Sequence, residues 1–154
     1  MALTVRPATL ADAAVVVEFN RLLALETEDK VLDPAVLARG VAAGLADPNK
    51  GRYFVAEDPE AGDGVLGQLM LTFEWSDWRN GWLWWIQSVY VREDARRRGV
   101  FRALYEHVHR AARADPTVAG LRLYMEHENH RARQTYLAMG LEATGYVVLQ
   151  RYPL

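Results

Sequence analysis

Asn80-Gly81 stands between two long strand-like runs, Val65 to Trp75 and Trp82 to Val91. Asn-Gly is a strong hairpin turn signal, because both residues tolerate positive φ, so the flanking strands are expected to fold into an antiparallel hairpin. A further run, Arg52 to Glu57, precedes Gly62-Asp63-Gly64, so the middle of the chain is expected to be an antiparallel meander.

Helical signals surround that meander. Leu3-Thr4-Val5-Arg6 reads as a short strand, and Thr9 followed by Asp12 resembles a capping box that opens a helix from Leu10 to Glu26. Asp33-Pro34 is an N-cap followed by proline at the first helical position, which predicts a second helix ending near Ala46. Val100 to Arg113 places Phe101, Leu104, Tyr105, Val108 and Ala112 on one helical face. Pro116 to Gly120 then leads into an expected strand, Leu121 to Glu126, and a helix from Asn129 to Met139 stops at Gly140. Glu142 to Tyr152 reads as a last strand. The order predicts a single α/β domain over residues 1–154, with a mixed, mostly antiparallel central sheet and helices on both faces.

Composition removes several functions. With 18 basic and 20 acidic residues, net charge -2, the chain lacks the basic footprint of a nucleic-acid binder, so no nucleic-acid partner is expected. It has no cysteine, which excludes disulfides, thiolate metal sites and a cysteine nucleophile. No apolar run approaches the ~20 residues of a membrane span, and the start lacks the apolar core of a secretory leader. No membrane partner is expected, and the cytoplasm is the expected location.

Two segments concentrate chemistry. In Val89-Tyr90-Val91-Arg92-Glu93-Asp94-Ala95-Arg96-Arg97-Arg98-Gly99-Val100-Phe101-Arg102 a strand hands over to a helix through an arginine-rich turn with a glycine. The helix start presents unpaired N–H donors and a partial positive charge, and glycine admits close backbone approach, a combination suited to a pyrophosphate. The same residues also read as a solvated basic turn that offsets Glu93 and Asp94. In the second segment, Asn129 and Tyr136 lie seven residues apart, almost two helical turns, and share a face. A tyrosine hydroxyl there can serve as a general acid, or the ring can be an ordinary half-buried helix tyrosine. Trp75, Trp78, Trp82, Trp84 and Trp85 read either as an amine pocket or as core and dimer contact.

Other signals carry less. Gly62-Asp63-Gly64-Val65-Leu66-Gly67 spells a dinucleotide fingerprint but opens a strand where that motif needs a strand before and a helix after it. His127 and His130 beside Glu126 and Glu128 lack a recognised zinc spacing, and His107 and His109 project about 200° apart on a helix, so no metal site is expected. Ser76 and Ser88 are the only serines, and neither sits in a nucleophile elbow.

Arg96-Arg97-Arg98-Gly99-Val100-Phe101, followed by Asn129, Ala132, Tyr136 and Gly140, resembles the paired signatures of the GCN5-related N-acetyltransferase (GNAT) family. Val5-Arg6-Pro7-Ala8-Thr9 with Asp12 is similar to that family's opening. The resemblance implies an acyl-CoA N-acyltransferase fold, acetyl-CoA as co-substrate, and transfer to the primary amine of a small molecule by direct attack in a ternary complex. It implies that Val89, Tyr90 and Val91 meet the acetyl-pantetheine arm, that Arg96, Arg97, Arg98, Gly99, Val100, Phe101 and Arg102 surround the pyrophosphate, and that Asn129 and Ala132 contact the arm. Tyr136 would protonate the departing sulfur. Phe101 stands where the pattern expects glycine or alanine, so its ring is expected to turn into the core.

Glu74-Trp75-Ser76-Asp77-Trp78, then Ile86-Gln87-Ser88, most resemble the diamine and polyamine acetyltransferase branch. That branch usually carries an acidic pair at Gln87 and Ser88, so a polyamine substrate is not expected here. An amine with pKa about 10.4 must lose a proton before it attacks, and Glu28, Glu74 and Glu126 are the candidate acceptors, directly or through water, with Glu74 and Glu126 first. Glu28, Gln87 and Tyr124 are expected at the acceptor end. The resemblance and the aromatic hairpin also imply a homodimer. Rival readings are a protein lysine or N-terminal acetyltransferase and a non-catalytic acyl-CoA sensor.

Overall fold

A computed structural model describes residues 2–154. The chain divides into two compact units, Met1–Leu123 and Tyr124–Leu154. The first holds β1 (Thr4–Pro7), α1 (Ala13–Glu28), α2 (Pro34–Ala46), β2 (Arg52–Glu57), β3 (Val65–Ser76), β4 (Gly81–Val91), α3 (Val100–Ala114) and β5 (Val118–Leu123). The second holds α4 (His130–Ala138).

The sheet runs β1-β2-β3-β4-β5 in chain order, antiparallel until β4 meets β5 in parallel. A parallel partner cannot be reached by a tight turn, so α3 makes the crossover. Successive β2 side chains show where the helices lie. The Tyr53 ring lies under Gly44 of α2 and is buried with Val16 of α1 and Val41 of α2, whereas the Phe54 ring meets His107 of α3 at 5.2 Å. Neighbouring residues of a strand point to opposite faces, so α1 and α2 cover one face and α3 the other, as the sequence predicts.

Local chemistry explains the elements. The Asp33 side chain accepts from the amides of Ala35 and Val36 at 2.9 and 3.1 Å, with Pro34 at the first helical position. Asp12 accepts from the Thr9 amide at 2.8 Å and from the Arg6 guanidinium through both oxygens, at 2.9 and 3.0 Å. That anchorage makes Leu10–Asp12 a single tight 3₁₀ turn, so the regular helix starts at Ala13 rather than Leu10, and it runs on to Glu28.

Two expectations are corrected. The fifth strand spans Val118–Leu123, not Leu121–Glu126. Asp115 already closes the preceding turn by accepting from the Thr117 amide at 2.9 Å, and Trp82 donates its amide to the Thr117 carbonyl at 2.8 Å, so pairing with β4 starts three residues early. No strand forms over Glu142 to Tyr152 among the described residues; Val147, Val148 and Leu149 are exposed there. Alternation and β propensity make a strand only where a neighbour takes the backbone hydrogen bonds.

Gly67 sets how closely α3 approaches the sheet. A Cβ at Gly67 would stand 2.8 Å from Val100 Cγ1 and 2.9 Å from the Tyr90 carbonyl oxygen, and neither neighbour can move without shifting α3 or β4. Gly67→Ala should therefore lower stability by about 1–3 kcal/mol, read from a denaturant midpoint. An unchanged midpoint would mean that α3 gives way freely.

Candidate functional site

In the first unit the site is built around an irregularity of β4. Gln68 pairs with Tyr90 and Met70 with Gln87, so Ser88 and Val89 together oppose Leu69 alone. This is a β-bulge, and Ser88 takes the left-handed conformation, φ 51°. The Gln68 side chain is completely buried and donates from Nε2 to the Ser88 carbonyl at 3.0 Å. On the other side of β4, pairing with β5 ends at Ile86 and Leu123, so β4 runs on from Gln87 to Val91 with no paired strand beside it in this unit. A strand edge left in this way offers main-chain donors and acceptors to a ligand.

Beyond Val91 the chain makes a 3₁₀ turn, Glu93–Ala95, anchored by the fully buried Ala95. Arg97 and Gly99 are both left-handed, φ 65° and 80°, and α3 begins at Val100. Gly99 has no side chain with which to cap α3, and the position of its missing Cβ meets no atom within 4 Å. The first amides of a helix are unpaired within it and carry the positive end of its dipole. An open, uncapped helix start among exposed Arg97 and Arg102 fits a diphosphate.

Two arginines of this turn are engaged by the protein itself. Arg92 forms a bidentate pair with Asp94, at 2.6 and 2.9 Å, and donates to the Asp63 carbonyl at 2.8 Å. Arg96 donates from Nε to the Val91 carbonyl at 3.0 Å and from Nη2 to Glu26 Oε1 at 2.7 Å. The Tyr90 hydroxyl donates to the other Glu26 oxygen at 2.6 Å, and the Tyr90 ring packs on Phe19 of α1, centroids 5.1 Å apart. Those two donors, Tyr90 first, hold the Glu26 carboxyl below its ordinary range, while burial and then Glu26 push the Tyr90 phenol up to about 12. Glu26, Tyr90 and Arg96 thus tie the end of α1 to β4 and the turn. Sequence reasoning placed Glu26 only at the end of the first helix. The ring of Phe101 is half-buried and lies along the helix against Tyr105, centroids 6.3 Å apart.

At the other end of β4, Glu74 Oε1 accepts from Arg122 at 3.0 Å and from Trp85 Nε1 at 3.3 Å, a bridge across three strands. Gln87 donates to the Thr72 hydroxyl across the strand pair, and Glu28 lies exposed at the end of α1. The tryptophans divide: Trp84 is buried core, Trp75 and Trp82 meet edge to face at 5.1 Å, and Trp78 is 86% exposed.

In the second unit Asn129 caps α4, its Oδ1 accepting from the Ala132 amide at 3.1 Å. Tyr136 is half-buried, and burial pushes its phenol above the ordinary value. Ala132 is half-buried and Tyr124 is exposed. Glu126 accepts from the Glu128 amide at 2.9 Å and lies 3.4 Å from His127 Nδ1.

The model of the acetyltransferase (GNAT) family matches residues 17–141, a span that crosses the boundary between the units. A possible acetyltransferase from Clostridium difficile is 40% identical, over 100% of this chain and 99% of its own, with a TM-score of 0.91. Two more distant structures share the fold at 16% identity. One, a predicted acetyltransferase with acetyl-CoA from Clostridium acetobutylicum, aligns over 97% of this chain and 96% of its own, TM-score 0.75. The other, a ribosomal-protein-alanine N-acetyltransferase from Brucella melitensis, aligns over 99% and 100%, TM-score 0.77. No curated protein matches the chain significantly.

Proposed function

Because the chain belongs to the acetyltransferase (GNAT) family, we propose that it moves the acetyl group of acetyl-CoA to the primary amine of a small molecule, which attacks directly in a ternary complex. The observation that carries this reading is the handover from β4 to α3 at Gly99, an open helix start beside a strand edge that has lost its parallel neighbour. Acetyl-CoA, when bound, supplies an acetyl group activated as a thioester.

The roles of the chain's residues follow. Backbone groups of Val89, Tyr90 and Val91 hold the pantetheine arm, and the amides from Arg97 to Arg102 hold the diphosphate. Arg96, held by Glu26 and Val91, fixes the turn that presents those amides. Asn129 and Ala132 are assigned to the arm, and Tyr136 Oη holds the proton that leaves with the sulfur. Gln87 and Tyr124 are assigned to the acceptor, with Glu28 supplying negative charge toward a cation. Glu74 is engaged by Arg122 and Trp85, so we assign the proton of the incoming ammonium to Glu126.

The absence of cysteine provides a clean assay, because a thiol reagent reports only coenzyme A released from acetyl-CoA. Thiol release should depend on added small-molecule amine and saturate with it. If acetyl-CoA binds tightly while amines, amino acids and lysine peptides all release nothing, the sensor reading replaces this one. Release with lysine peptides alone would move the acceptor to proteins.

A further inference from the structure

We propose that Gln68 is a positioning residue for the cofactor: its buried amide nitrogen fixes the Ser88 carbonyl and so holds the β4 bulge in the form that presents Val89 and Tyr90. The proposal rests on the functional reading above. Gln68 is a lone amide in an otherwise apolar run, Leu66-Gly67-Gln68-Leu69-Met70-Leu71, and it is completely buried. It shares a sheet face with its register partner Tyr90, the face covered by α1. Its Nε2 reaches the Ser88 carbonyl at 3.0 Å, and Ser88 is the residue whose left-handed φ makes the bulge.

The other half of the amide makes the case. Gln68 Oε1 is a buried acceptor with no hydrogen-bond partner. An orphaned buried acceptor destabilises a fold, so an amide kept only for stability would satisfy both ends or give way to an apolar residue. Turning the amide over would set two oxygens against each other at Ser88, which fixes the donor there. Gln68 therefore gives up hydrogen-bonding capacity to aim one donor at the bulge. Without that donor, the Ser88 carbonyl is freer to rotate, and the backbone groups that follow lose their preset direction.

The test uses the full chain, with acetyl-CoA titrated calorimetrically and thermal melts run in parallel. Gln68→Met removes both the donor and the orphaned acceptor at similar volume. We expect acetyl-CoA affinity to fall by about 10-fold while the melting temperature holds or rises. A purely structural glutamine gives the reverse, a lower melting temperature with unchanged affinity, and that result overturns the proposal. Gln68→Glu guards against a failure to fold. Its protonated carboxyl can still donate to Ser88, so affinity should approach the parent's at low pH. It should weaken as pH rises through the ionisation of that carboxyl, beyond any change in the parent; no such pH-dependent loss overturns the proposal. If the parent protein itself binds no acetyl-CoA, the functional reading fails, which is a separate outcome from parent and Gln68→Met binding equally.

Discussion

Replacing Tyr136 by phenylalanine should lower turnover by about 10²-fold or more while leaving acetyl-CoA affinity nearly unchanged. The substitution removes one oxygen and keeps the ring, so the packing of α4 is retained and the proton is lost. Protonating the sulfur as it departs eases its loss and keeps it from returning, and the donor must still hold its proton at working pH. Burial pushes the Tyr136 phenol upward, which keeps it protonated across neutral pH. The sign is therefore right for an acid and wrong for a base. Steady-state rates by thiol release, set beside calorimetric affinities, separate the two quantities. Unchanged turnover would remove Tyr136 from the chemistry.

The second large effect is expected at Gly99. Gly99→Val puts a β-branched residue at φ 80°, a conformation that costs about 1–3 kcal/mol, and fills the space that lies open at the start of α3. A charge-assisted hydrogen bond from an amide to a phosphate contributes about 1.5–3 kcal/mol, so displacing one or two should weaken acetyl-CoA binding by about 10²-fold or more. Gly99→Asn separates the two causes, because asparagine tolerates the left-handed region but still obstructs the approach. It should stay close to the parent in stability yet bind acetyl-CoA poorly. Parent-like affinity in both variants would move the diphosphate elsewhere.

Where the sequence carries a local device, its reading matches the structure closely. Asp33-Pro34 marks the start of α2, Asn80-Gly81 marks the hairpin although its loop spans Asp77 to Asn80 and Gly81 already pairs with Ser76, and the apolar face of α3 follows from its spacing. Where an element depends on a distant neighbour, the reading slips. The start of β5 is set by the register of β4 and by Asp115, not by Gly120, which lies within the strand. The run Glu142 to Tyr152 has strand-like residues but no strand. The site shows the same division. Gly99 and its turn are legible because a glycine between a strand and a helix admits close backbone approach. The engagement of Arg92 and Arg96 is not, because Asp63 and Glu26 are brought to them only by folding. Gln68 carried a usable signal, a single amide among aliphatic residues, whose meaning depends on Ser88 lying across the strand pair.

The extra residue in β4 acts as a phase slip. Gln87 and Tyr90 face the same side although three positions separate them, so the even-odd rule that assigns side chains before Ser88 is inverted after it. Shortening the strand by one residue at Ser88 or Val89 would restore uniform pleating while leaving Tyr90 opposite Gln68, so the bulge could be removed without turning the Tyr90 hydroxyl away from Glu26. Any alignment that treats this strand as evenly pleated will therefore send its last residues to the wrong layer.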